Sequence, residues 1–206
     1  MNMTEHHAEN GHIDLETGKL GMWIFLLTEL FLFGGLFLVY AVFRAQYSAD
    51  FHSAASELNT FIGTLNTVFL LTSSMTVAMA LTAMQKNQKN LALFLVMVTL
   101  LFAALFMVNK YFEWTHKFHF HIFPGSPVLK NLPRGELLFF GLYYMMTGLH
   151  ALHVFIGMVL LSINFVRIRK GTVNAGHYLM LENSALYWHL VDLIWIFLFP
   201  LLYLIT

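Results

Sequence analysis

The stretch Leu91-Ala-Leu-Phe-Leu-Val-Met-Val-Thr-Leu-Leu-Phe-Ala-Ala-Leu-Phe-Met-Val108 runs for eighteen residues without a charged side chain. About 20 apolar residues of helix cross a bilayer core, where every backbone polar group has to be satisfied within the segment. Four more runs share this character. Residues 20–43 carry Glu29 as their one charged side chain, and residues 61–84 are uncharged but rich in Thr and Ser. Residues 137–166 contain His150 and His153, while residues 179–205 contain Glu182, His189 and Asp192. The expectation is an all-α integral membrane protein, a bundle of five transmembrane helices at about 20–43, 61–84, 91–108, 137–166 and 179–205. Residues 1–19 read as a polar N-terminal tail that stays attached, since they lack the basic start and apolar run of a secretory signal. Residues 20–206 read as one membrane domain.

Composition agrees with this. The chain is 58% apolar and 11% charged, against about 25% charged for an ordinary soluble domain. Lys+Arg and Asp+Glu are equal at 11 each, so no basic face is offered to nucleic acid. With no cysteine, disulfides, thiolate nucleophiles, iron–sulfur ligation and Cys-ligated copper are all excluded.

The loops carry the orientation. Residues 85–90 and 167–177 are short, and their charged members, Lys86, Lys89, Arg167, Arg169 and Lys170, are all basic. Five crossings put both loops on the side of the N-terminus. The positive-inside rule then predicts a cytoplasmic N-terminus and an external C-terminus. Over whole segments the balance is six basic residues inside to five outside.

Polar residues inside the spans mark where chemistry or assembly is decided. A carboxylate at the depth of Glu29 costs about 2.5–3.5 kcal/mol on insertion scales, so it is neutral or faces protein, water or a partner. A proton-handling group and a hydrogen-bonded packing acid fit equally. His150 and His153 are spaced i, i+3 and share a helix face, as do His189 and Asp192, with Glu182 two turns earlier. Such a cluster suits a di-metal site in a bundle and equally a polar seam between helices in lipid. The Glu-x-x-His pair on each of two helices that carboxylate-bridged metals need is absent. Two bis-His haems would need four intramembrane histidines, and three are present. His116, His119 and His121 read as interfacial loop residues, and the basic run ending at Lys170 suits anionic lipid headgroups.

In this order the residues resemble subunit III of haem-copper terminal oxidases, from Gly21 to Tyr203. The resemblance begins with Gly21-Met-Trp-Ile-Phe-Leu-Leu-Thr-Glu29-Leu-Phe-Leu-Phe and continues through Asn66-Thr67 and Glu113-Trp114. Its most specific pieces are Thr147-Gly-Leu-His150-Ala-Leu-His153-Val-Phe-Ile-Gly157 and Tyr187-Trp-His189-Leu-Val-Asp192-Leu-Ile-Trp195, preceded by His177 and Glu182. It implies a fold matching the last five helices of seven-helix members. It also implies that Glu29 is the intramembrane carboxylate that reacts with carbodiimides. Arg167, Lys170, Glu182 and His150 would hold phospholipid, and Glu113, His153, His177, His189 and Asp192 would form a polar structural network. Two departures stand out. The first two helices of longer members have no counterpart in these 206 residues, and a His pair common before the matching Glu is reduced to His177.

The resemblance further implies a subunit with no metal or cofactor of its own in a bacterial cytoplasmic membrane. It would bind phospholipid and support proton uptake while oxygen is reduced to water. Its partners would be subunit I directly, subunit II and a small subunit IV. Haems and copper would sit in those partners, and cytochrome c or quinol would not bind this chain. Glu29 and Tyr187-Trp188 favour the cytochrome c-linked type over quinol oxidase subunits and nitric oxide reductase accessory subunits. Two readings of other classes stay open on the residues alone. One is a self-contained haem or metal membrane protein, and the other a proton-coupled transporter. Against the transporter, the spans lack the paired Gly/Pro interruptions of many carriers.

Overall fold

A computed structural model describes residues 3–120, 122–123, 126–130, 132–172 and 178–205. Every element among them is helical: α1 (Met3–Gln46), α2 (Ser48–Ser56), α3 (Thr60–Gln85), α4 (Lys89–His119), α5 (Pro127–Lys130), α6 (Arg134–Lys170) and α7 (Leu179–Tyr203). Five segments are long and apolar enough to cross a membrane: Gly18–Gln46, Thr60–Gln85, Lys89–His119, Arg134–Lys170 and Leu179–Tyr203.

Helices α3 and α4 form an antiparallel hairpin, α7 packs between α3 and α6, and α6 also lies against α4. Helix α1 rests at the edge on α6 and α7. Only 6% of its apolar window is buried inside the chain, against 50% for α7, so α1 needs lipid or another protein as its surroundings. The short turns have local causes. Asn87, with φ 58°, reverses the chain after α3, as an asparagine can in the left-handed region. Gly171, with φ 80°, ends α6 while its N–H and that of Thr172 bond back to Ile168 and Arg167 carbonyls at 3.0 and 3.1 Å.

Lipid tails offer helices little hydrophobic reason to associate, so small residues and hydrogen bonds between helices matter more. Trp188 and Trp195 on α7 donate their indole N–H groups to Ser73 and Thr67 on α3, each at 3.0 Å. The Asn109 amide of α4 donates to Asn66 of α3 at 2.9 Å, and Asn164 of α6 donates to Ser184 of α7 at 2.8 Å. At Gly157 a Cβ would come within 2.7 Å of the Trp188 ring. The glycine lets α6 and α7 close on the indole.

The third span is where expectation and structure part. It was expected to end at residue 108, because Lys110, Glu113 and Lys117 look like loop charges. The helix instead continues to His119, and all three side chains are buried. His116 and His119 accordingly sit in the last turn of α4 rather than in a loop, and His121 lies outside the described residues. The apparent loop of residues 44–60 contains α2, which packs against α6. Helix α1 begins at Met3, so the polar segment read as a tail is helical and continuous with the first span.

Candidate functional site

Glu29 and His153 meet where α1 crosses α6. His153 Nε2 is 2.9 Å from Glu29 Oε2, and its Nδ1 is 2.7 Å from the Leu149 carbonyl. The two side chains are 15% and 9% exposed, respectively. A carbonyl oxygen only accepts, so Nδ1 carries a hydrogen. Nε2 and the carboxylate then form a bond only if one further proton lies between them. The pair is either a carboxylic acid donating to imidazole or a carboxylate accepting from imidazolium. Both forms are neutral overall, which is how a carboxyl group is accommodated at this depth. Phe33 meets the imidazole edge-on, with ring centroids 5.5 Å apart, and the Tyr187 hydroxyl donates to the His153 carbonyl at 3.2 Å.

This pair forms the polar end of a cavity of about 580 Å³ between α1, α6 and α7, whose walls include Met22, Phe25, Leu160 and Tyr187. A second cavity, of about 590 Å³, runs along the outer face of α6. Its lining includes Phe155, Val159, Ile163 and Val166 and ends at Arg167 and Lys170. An apolar strip finished by two cations has the polarity of an anionic phospholipid, tail to headgroup. Arg167 also reaches the Met180 sulfur, which lines the first cavity, so it stands between the two.

The other expected residues are dispersed. Glu182 pairs with Lys19 of α1 at 3.1 Å and lines neither cavity. His150 is fully buried between Phe106, edge-on at 5.6 Å, and Trp195, tilted at 5.2 Å. His189 Nδ1 lies 2.6 Å from the Ser74 hydroxyl on α3, and Asp192 is buried one turn further along α7. His177 lies outside the described residues. So α6 sends His153 toward α1 and His150 into the α4–α7 interface, although the two share a helix face. Among the described residues no group of three or more His, Asp or Glu converges as metal ligands.

Glu113 belongs to a cluster that the sequence concealed. The Lys110 ammonium donates to Glu113 at 3.2 Å, lies 2.8 Å from the Tyr203 hydroxyl and 3.4 Å from that of Tyr143. Both tyrosine hydroxyls donate to Glu113 Oε1, Tyr203 at 2.6 Å. The ammonium also sits 5.2 Å from the Trp195 ring centroid, within cation–π range. One ion pair with two hydroxyls thus joins α4, α6 and α7 in a place where each charge alone would be costly. The i, i+3 spacing of Lys110 and Glu113 was a readable signal. Their tyrosine partners, 30 and more positions away in the chain, were not.

The comparisons follow this geometry. The family model described as cytochrome c oxidase subunit III matches residues 2–206. A cytochrome c oxidase subunit 3 from Thermostichus vulcanus is 32% identical over 97% of this chain and 92% of its own length. The "Probable quinol oxidase subunit 3" of Staphylococcus saprophyticus is 27% identical over 99% of this chain and 94% of its own. The haem-copper oxidase subunit I+III of Aeropyrum pernix is 28% identical over 91% of this chain and 22% of its own. With its five apolar helices and a match along nearly its whole length, the chain belongs to the cytochrome c oxidase subunit III family.

Proposed function

We propose that this chain is subunit III of a bacterial oxygen reductase of the cytochrome c-linked type. In this reading it binds structural phospholipid, stabilises the catalytic subunit and supports proton uptake, while haems and copper reside in partner subunits. The observation that carries the lipid role is the apolar groove of α6 ending at Arg167 and Lys170. The Glu29–His153 pair, holding one exchangeable proton beside a cavity, supports the proton role. The exposed apolar face of α1, with Trp23, Leu27 and Phe31, gives subunit I or lipid a surface to cover. The Aeropyrum relative, named as subunits I and III in one chain, favours subunit I as a direct neighbour. A quinol-linked complex is the second reading, favoured by the Staphylococcus relative. The N-terminus lies in the cytoplasm, as the basic turns at Lys86, Lys89 and Arg167 to Lys170 require.

Lipid analysis of the purified complex tests this. Arg167→Gln with Lys170→Gln is expected to reduce retained anionic phospholipid about fivefold or more, since each basic side chain contributes about 1 kcal/mol near an anionic surface. The visible spectrum is expected to stay as in the parent, because no cofactor is touched. Unchanged lipid content would leave the two cations with an orienting role alone.

A further inference from the structure

At the opposite end of the bundle from Arg167 lies a cavity of about 500 Å³ that neither the proton pair nor the α6 groove uses. The end of α2, the start of α3 and the last turns of α4 enclose it. Its polar lining comes from Ser56, Glu57, Asn59, Glu113, His116 and Lys117. The charges divide simply. Glu113 is neutralised from behind by Lys110 and two tyrosine hydroxyls. That leaves Glu57, exposed, and Lys117, only 6% exposed and lying over the Phe140 and Tyr143 rings at 5.3 and 5.8 Å. One wall is different: Leu58, Ile62 and Phe112 are apolar, and Phe112 is 65% exposed on the outer surface of the bundle.

We infer that this cavity binds a phospholipid with a zwitterionic phosphoethanolamine headgroup, its phosphate toward Lys117 and His116 and its ammonium toward Glu57. A purely anionic headgroup would meet the Glu57 carboxylate, and a cation would meet Lys117. A ligand with one charge of each sign satisfies both. The ammonium has N–H donors for the Glu57 carboxylate and the Ser56 hydroxyl oxygen, which a trimethylammonium lacks. Tyr111 and Trp114 of α4 flank this level, and aromatic residues of that kind mark the headgroup layer of a membrane. Phe112 and Ile62 then continue the site along the surface that acyl chains occupy. The inference rests on the membrane setting of the chain and is independent of the electron donor.

Native mass spectrometry of the intact complex in nanodiscs of mixed phosphatidylethanolamine, phosphatidylglycerol and phosphatidylcholine tests it. Lys117→Gln is expected to lower retained phosphatidylethanolamine about fivefold at one site, by the contribution of one basic side chain near a phosphate. Arg167→Gln with Lys170→Gln should leave that lipid bound and release anionic lipid instead, which separates this site from the α6 groove. Glu57 is exposed, so Glu57→Gln tests the site without disturbing the core. It is expected to turn the preference from phosphatidylethanolamine toward phosphatidylglycerol. Retention of phosphatidylethanolamine unchanged in both Lys117→Gln and Glu57→Gln would overturn the assignment. Equal occupancy by phosphatidylcholine in the parent complex would do the same.

Discussion

Lys110→Met is expected to destabilise the chain by about 3–5 kcal/mol, the range found when one member of a buried ion pair is removed. The reason is the environment of Glu113. Its carboxylate stays buried with two tyrosine donors and no counter-charge, in a bundle surrounded by lipid. The companion variant makes the prediction specific. Lys110→Met combined with Glu113→Gln removes both charges while the glutamine oxygen can still accept from Tyr143 and Tyr203. It is expected to recover at least half of the loss. The level of chain in the assembled complex and the thermal midpoint of the purified complex both report the effect. Equal stability of Lys110→Met and the parent would mean that the aromatic cage, not the ion pair, holds α4, α6 and α7 together.

The second large effect concerns Glu29. Glu29→Gln keeps the length of the side chain, and its amide N–H can donate to His153 Nε2 as the carboxylic acid would. Packing should therefore change by about 1 kcal/mol or less, the net worth of an ordinary hydrogen bond. What disappears is the exchangeable proton. Oxygen consumption in the Gln variant is expected to fall modestly near neutral pH and more steeply than in the parent as pH rises and bulk protons become scarce. Glu29→Ala opens a gap and leaves His153 Nε2 without its partner, so assembly should suffer as well, by about 1–3 kcal/mol for an unsatisfied polar group. An apolar carbodiimide should label the parent at residue 29 and not the Gln variant. Parent-like turnover with Glu29→Gln across the whole pH range would assign Glu29 to packing. Complete loss of oxygen reduction in a fully assembled Gln variant would contradict the helper role.

Much of the fold was legible because hydrocarbon imposes a severe rule on sequence. A run such as residues 91–108 leaves few alternatives to a spanning helix. Legibility failed where protein supplies the solvation that lipid cannot. Lys110, Glu113 and Lys117 look like loop residues one at a time, and only the fold brings Tyr143 and Tyr203 to them. Helical periodicity likewise placed His150 and His153 on one face. It could not show that α1 meets one of them and Trp195 the other. Glu182 is a similar case, since its partner Lys19 comes from the far end of the chain. The resemblance named Glu29 and Arg167 as residues of interest. The hydrogen-bonded partner of the first and the groove below the second are properties of helix packing alone.

The central claim is that this chain serves an oxygen reductase whose redox centres are held elsewhere. Affinity purification of the tagged chain from mildly solubilised membranes, with optical spectra and metal analysis before and after its release, tests that claim most directly. The account predicts a stoichiometric complex rich in haem and copper. On release of this chain, both should remain entirely with the partner subunits, and the freed polypeptide should be colourless. A chain that purifies without any haem-copper partner, or that retains haem or copper after separation, would contradict it.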